Sequence, residues 1–136
     1  MSKQLLFDTS VWIGFLNRKD TPAVNLLEKA IQEDEQVFLT PTILQEILQG
    51  IRDDAKYEQI KETLSYFTVL QLPHVAAAVA SAQLYRSLRK KGATIRKSND
   101  CLIAHYAIAF KLTLVHVDSD FELIAKHSGL QVWKPL

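Results

Sequence analysis

Short apolar segments alternate with longer amphipathic segments along this 136-residue chain, and that alternation constrains the fold more than any other feature. The apolar segments are typical of buried strands and lie at residues 5–7, 37–39, 68–72, 112–117 and 130–133. Strands separated by helices need right-handed crossovers, which produce a mostly parallel sheet with helices on both faces. The sequence therefore predicts an α/β fold, with a single three-layer domain over residues 1–136.

Capping residues and prolines mark where the helices between these strands begin. The predicted starts are Thr9 or Ser10, Pro22, Thr40-Pro41, residue 53, residue 74, Ser98 or Asn99, and residue 119. The helix that starts at residue 53 is expected to extend to residue 67. Ser98 or Asn99 is expected to cap an apolar helix over residues 101–110.

Composition excludes several classes of function. Sixteen basic and fifteen acidic residues give a net charge of +1, so overall charge neither requires nor excludes a nucleic-acid partner. A single cysteine, Cys101, rules out an internal disulfide and makes a zinc site built on thiolates implausible. The four glycines are not clustered, which argues against a phosphate-binding loop. No apolar stretch approaches the roughly 18 residues of a membrane span, so we expect a cytoplasmic protein without a membrane partner.

Four acidic residues differ from the rest because each is attached to a segment that is otherwise apolar. Asp8 and Asp118 close predicted strands, whereas Glu46 and Asp100 lie in or at the start of predicted helices. Ionised carboxylates in such places are costly unless they are paired or bind a metal. In parallel α/β sheets, ligand sites form at the carboxyl ends of strands, where all four side chains can converge. The alternative is that they are separate helix caps and one partly exposed helix residue.

Four motifs along the chain resemble those of the PIN-domain ribonucleases, and within them the VapC-type toxins of toxin–antitoxin pairs. The motifs are Leu-Phe-Asp8-Thr-Ser-Val, Gln-Glu46-Ile-Leu-Gln-Gly50, Asn-Asp100-Cys-Leu-Ile-Ala-His-Tyr-Ala107 and Leu-Val-His-Val-Asp118-Ser-Asp120-Phe121. The resemblance implies an acidic quartet of Asp8, Glu46, Asp100 and Asp118, with Thr9 and Ser10 as supporting hydroxyls. It leaves Asp120 open as an alternative to Asp118.

The resemblance also implies an activity, a cofactor and partners. The expected activity is metal-dependent endoribonuclease cleavage by a toxin that inhibits translation, on transfer or ribosomal RNA. Mg²⁺, with Mn²⁺ as a substitute, suits a site made of carboxylates. Asp8, Asp100 and Asp118 are the expected metal ligands, and Glu46 is a second ligand or a base. A cognate antitoxin and a homodimer are the expected protein partners. The alternative is an inactive PIN-like scaffold that binds RNA or a protein.

Basic residues flank Asp100 in sequence and are candidates for binding RNA phosphates. Arg96 and Lys97 precede it by a few positions, and Arg89 and Lys90 lie at the end of the preceding predicted helix. For the helix-end pair, the alternative is favourable interaction with the helix dipole. The four histidines are not at metal-ligand spacing, so the sequence predicts packing or surface roles for them.

Overall fold

The computed structural model describes residues 4–135, in which five strands alternate with seven helices. The strands are β1 (Leu5–Phe7), β2 (Phe38–Leu39), β3 (Thr68–Val69), β4 (Thr113–Val115) and β5 (Gln131–Val132). The helices are α1 (Thr9–Leu16), α2 (Pro22–Gln32), α3 (Pro41–Gln49), α4 (Asp54–Leu64), α5 (His74–Lys90), α6 (Ser98–Ala109) and α7 (Ser119–Lys126). None of these helices is long and apolar enough to cross a membrane.

The five strands form one parallel sheet in the order β3-β2-β1-β4-β5. Consecutive strand residues point to opposite faces, and both Leu6 and Phe7 of β1 are fully buried, as are Leu114 and Val115 of β4. Both faces of the sheet are therefore covered, which confirms the predicted α/β architecture. Because the order reverses at β1, the carboxyl ends of β1 and β4 flank the crevice where such sheets bind ligands.

Strand β4 and helix α4 are shorter than predicted, because hydrogen bonds of nearby residues set their ends. The backbone N–H of Leu112 donates to the carbonyl of Ala107 at 2.8 Å, so Leu112 closes the end of α6 and is not part of β4. Helix α4 ends at Leu64, where the Ser65 hydroxyl donates to the carbonyl of Glu62. Apolar pattern located these segments, whereas local hydrogen bonds set their ends.

Two of the predicted caps are wrong. Helix α1 is capped by Asp8, whose side chain accepts from the N–H of Ser10, so neither Thr9 nor Ser10 is the cap. Helix α6 begins at Ser98 with Lys97 in the cap position, and no side chain caps it. Ser98 and Asn99 are therefore inside the first turn, and Asp100 is the third residue of that turn.

Close packing of α1 against α2 gives a first prediction, at Gly14. A Cβ added to this glycine would lie 2.9 Å from Cγ2 of Val24, a β-branched side chain with little freedom to move away. We expect Gly14→Ala to lower the free energy of unfolding by about 1–3 kcal/mol, since this overpacking outweighs the helical gain from alanine. Urea denaturation measures the change. Gly129→Ala, with open space around the added Cβ, is the matched control and should be nearly neutral.

Candidate active site

An open cleft of about 300 Å³ lies at the carboxyl ends of β1 and β4. The side chains that line it come from α1, α3, α6 and the segments before α6 and α7: Asp8, Thr9, Ser10, Ile13, Glu46, Gln49, Lys97, Asp100 and Asp118. All four predicted acids of the quartet therefore meet in one place, although 110 positions separate the first from the last. A larger cavity of about 760 Å³ between α1 and α2 contains none of them.

Asp8 directly follows β1, caps α1 and lines the cleft. Its Oδ2 accepts from the Ser10 backbone N–H at 3.1 Å and from the Ser10 hydroxyl at 2.7 Å. Burial raises the pKa of Asp8, and the hydrogen bonds from Ser10 act against that shift. Asp8 therefore caps α1 and also lines the acidic cleft.

Asp100 lies in the first turn of α6 and is only 4% exposed. Its Oδ2 is buried and has no hydrogen-bond partner within residues 4–135. Burial is the largest cause that raises the pKa of Asp100 to about 7, followed by the negative charges of Asp8 and Asp118, while Lys97 opposes the shift. A buried carboxylate oxygen without a partner is costly when ionised, so Oδ2 of Asp100 is available as a ligand for a positive group.

Glu46 reaches the cleft from the middle of α3. Its Oε1 accepts from the Thr9 hydroxyl at 2.7 Å, a contact that links α3 to α1. Gln49 joins the lining of the cleft three residues later, because that spacing places it on the same side of α3. Sequence reasoning missed Gln49, although its helical spacing from Glu46 was a usable signal.

Asp118 follows β4 and caps α7, its Oδ1 accepting from the Asp120 N–H at 2.9 Å. Two cations lie near its carboxylate, with Arg96 Nη2 at 3.6 Å from Oδ1 and Lys97 Nζ at 3.6 Å from Oδ2. The turn before it is held by His116, whose Nδ1 accepts from the Asp118 N–H at 3.1 Å. Within the part of the chain that the structure describes, Asp118 is thus the only member of the quartet that forms an ion pair.

Asp120, the alternative fourth acid, is buried next to Asp118 but does not line the cleft. Its Oδ2 accepts from both the backbone N–H and the Nε of Arg96, each at 3.3 Å. This carboxylate is therefore already used to bind the segment before α6. The position of Asp118 in the lining favours it over Asp120 as the fourth member of the cluster.

The four predicted basic residues fall into two groups. Arg96 and Lys97 lie at the cleft through their contacts with Asp118. Arg89 has its guanidinium 5.8 Å from the centre of the Tyr85 ring, and Lys90 is exposed in the last turn of α5. Over residues 4–135, neither Arg89 nor Lys90 contributes to the lining of the cleft.

The chemistry of the cleft fits a hard divalent cation. Its acidic donors are carboxylate oxygens, which suit Mg²⁺ or Mn²⁺, and Asp100 offers an unpaired, buried oxygen. No three acidic, histidine or cysteine side chains among the residues described stand close enough to hold an ion as they are. Three of the four carboxylates contact other groups of the chain: Asp118 forms ion pairs, and Asp8 and Glu46 accept hydrogen bonds from hydroxyls.

Comparison with known proteins identifies the family and the fold. The sequence profile of the PIN domain matches residues 5–127. Ribonuclease VapC11 of Mycobacterium tuberculosis is 31% identical over 128 residues, which cover 93% of this chain and 96% of the relative. A chain in the crystal structure of VapBC2 from Rickettsia felis, bound to a DNA fragment from their promoter, superposes with a TM-score of 0.74 at 21% identity, covering 96% of this chain and 98% of that one.

A chain of FitAcB from Neisseria gonorrhoeae has the same fold, with a TM-score of 0.70 at 22% identity over 96% of this chain and 97% of that one. The extent of the profile match and the identity with VapC11 are both sufficient to assign a family. This chain belongs to the PIN-domain family, and its relatives there include VapC ribonucleases.

Proposed function

We propose that this protein is a divalent-metal-dependent endoribonuclease that acts as the toxin of a type II toxin–antitoxin pair. The observation that carries the proposal is the convergence of Asp8, Glu46, Asp100 and Asp118 from four separate elements on one cleft. Structural acids at helix caps do not need to meet, whereas phosphodiester hydrolysis with a metal ion needs carboxylates that do. The ribonuclease activity named for VapC11 supports the same reaction.

Each of the four acids in the cleft has a proposed task. Asp8 and Asp100 bind the cation directly, Asp118 is a further ligand or orients water, and Glu46 is a second ligand or a base. When bound, Mg²⁺ or Mn²⁺ supplies a nucleophilic water at neutral pH and charge stabilisation for the leaving oxygen. The Thr9 hydroxyl holds Glu46, and Ser10 holds Asp8.

Binding of RNA is the task of the neighbouring cations. Lys97 lines the cleft, and Arg96 lies next to it, so both can contact phosphates on either side of the scissile bond. Arg89 and Lys90 are proposed to contact more distant phosphates. Hydrolysis breaks the bond between phosphorus and the 3′ oxygen, which leaves a 5′-phosphate and a 3′-hydroxyl.

The biological setting is proposed from the relatives. VapBC2 of Rickettsia felis is described with a DNA fragment from its promoter, and a structure of the same fold from Klebsiella pneumoniae is described as a toxin–antitoxin complex. We propose that this chain has a cognate antitoxin, forms a homodimer and acts in the cytoplasm on transfer or ribosomal RNA, with inhibition of translation as the outcome.

Metal removal is the experiment that tests the proposed function. Purified protein incubated with total RNA should cleave it in Mg²⁺ or Mn²⁺ and should lose that activity in excess chelator, because the carboxylates alone supply no activated water. Readdition of Mg²⁺ should restore cleavage. Asp100→Asn protein prepared in parallel controls for contaminating nucleases. Undiminished cutting in chelator would contradict the metal mechanism, and RNA binding without cutting in Mg²⁺ would favour the inactive scaffold.

A further inference from the structure

Asp118 differs from the other three acids of the cleft in its surroundings. Both of its oxygens face cations of the same chain, since Arg96 Nη2 and Lys97 Nζ each lie 3.6 Å away. Asp100, by contrast, has an unpaired buried oxygen. Within residues 4–135, the cleft therefore contains one neutralised carboxylate beside three that form no ion pair.

The two cations are held by a well-anchored segment, residues 92–97, which we call the basic loop. It leaves α5 at Gly92, whose φ of +85° suits glycine, and it is fixed by the buried side chains of Ala93 and Ile95. Asp120 then binds Arg96 through both its backbone N–H and its Nε. These contacts anchor the basic loop at groups other than Asp118.

The ion pairs themselves are easily exchanged. The side chains of Arg96 and Lys97 are 69% and 65% exposed, and exposed pairs at such distances contribute little to stability. A divalent cation at the same carboxylate carries twice the charge of either side chain. Release of the two side chains would leave them at the mouth of the cleft, where RNA phosphates must approach.

We propose that Asp118 exchanges partners, and this inference rests on the proposed function. In the metal-free protein, Arg96 and Lys97 neutralise Asp118. Metal loading takes over the carboxylate and releases Lys97 Nζ and Arg96 Nη2 to bind RNA phosphates, so metal and RNA each strengthen the binding of the other. Asp120 is a positioning residue that holds the basic loop in place while its cations change partners.

A first test measures RNA binding in chelator, where no cleavage is expected. Asp118→Asn keeps the cap on the Asp120 N–H but removes the charge that holds the two cations. It should bind single-stranded RNA more tightly, with a salt slope steeper by up to about 1.4, because each released cation adds about 0.7. Adding Lys97→Met to Asp118→Asn should remove about half of that increase.

Glu122→Gln is the matched control for this test. It makes the same change of charge in α7, but Glu122 pairs with His116 and Lys134 instead of the basic loop. Its salt slope should equal that of the parent. An equal increase in slope for both variants would mean that general charge, and not released cations, is responsible, and would overturn the exchange.

A second test measures Mn²⁺ affinity without RNA, by electron paramagnetic resonance of the free ion. Lys97→Met removes a competitor for Asp118 and should tighten Mn²⁺ binding by up to about fivefold, the limit for an exposed ion pair. Lys29→Met removes the same charge from the last turn of α2, outside the lining of the cleft, and should leave the affinity unchanged. Because Lys97 is exposed, its replacement should not impair folding.

The outcomes separate this inference from the function on which it rests. If the parent cleaves RNA with metal, but Lys97→Met leaves Mn²⁺ affinity unchanged or Asp118→Asn leaves the salt slope unchanged, then the exchange is wrong and the nuclease stands. If the parent neither binds Mn²⁺ nor cleaves RNA, the proposed function fails and the exchange fails with it. Only the two expected changes together support the exchange.

Discussion

Replacement of Asp100 by Asn should reduce RNA cleavage more than about 100-fold, because loss of a group one step removed from a metal already costs 10- to 100-fold. The same change should raise stability in the absence of metal. The buried, unpartnered carboxylate of Asp100 is repelled by Asp8 and Asp118, and the uncharged amide removes that repulsion. A variant that is less active but more stable distinguishes a metal ligand from a structural acid.

The stability gain should depend on pH in a defined direction. The pKa of Asp100 rises from 3.8 in the unfolded chain to about 7 in the folded protein, so between these values the folded state keeps a proton that the unfolded state has lost. Stability of the parent therefore falls as pH rises through this window, by at most about 4 kcal/mol at 1.36 kcal/mol per unit. The stability of Asp100→Asn should not fall in this way, because the amide does not ionise.

Thermal melts in chelator at about pH 5 and about pH 8 measure the effect. We expect the variant to exceed the parent by about 1–3 kcal/mol at the higher pH, less than the ceiling because the buried amide N–H also needs a partner, and by little at the lower pH. Asp54→Asn is the matched control, an exposed acid in the first turn of α4. If Asp100→Asn melts below its parent at the higher pH, the carboxylate is structural.

The pattern of apolar and polar residues along the chain was sufficient to predict the fold. The strands around Leu6 and Leu114 are so apolar on both faces that they can only be central and covered, and the segments between them have helical spacing. The convergence of the acids could also be predicted from the sequence, since a residue that directly follows a parallel strand must lie at the carboxyl edge of the sheet. Asp8 and Asp118 are at that edge for this reason.

Features set by single hydrogen bonds were not accessible from the sequence. Asp118 and Asp120 are two residues apart and chemically identical, and only the bonds from Arg96 to Asp120 show which one is used to hold the basic loop. Likewise, Ser98 and Asn99 are good capping residues by type, yet α6 already includes both of them and Lys97 takes the cap position. Propensity describes a residue type, whereas the role of Asp120 depends on the position of Arg96, 24 residues before it.

Substitution of Asp8 should give the second large loss of RNA cleavage. Its effects on cleavage and stability can be separated, because Asp8 both caps α1 and lines the cleft. Both Asp8→Asn and Asp8→Ala should reduce RNA cleavage more than about 100-fold through loss of a proposed metal ligand. Their stabilities should differ, however. Asn can still accept from the N–H and hydroxyl of Ser10, so its metal-free melting temperature should equal or exceed that of the parent. Ala loses the cap and should be about 0.5–2 kcal/mol less stable than Asn.

Asp53 provides the control pair, because it caps α4 by accepting from the Lys56 N–H at 2.8 Å and lies outside the cleft. Asp53→Asn and Asp53→Ala should reproduce the difference in stability between Asn and Ala while both retain RNA cleavage. Urea denaturation in chelator and cleavage in Mg²⁺, measured on all four variants, separate the two roles. If Asp8→Asn still cleaves RNA at the rate of the parent, Asp8 is a cap alone, and the proposed cation would have to be held by the remaining acids.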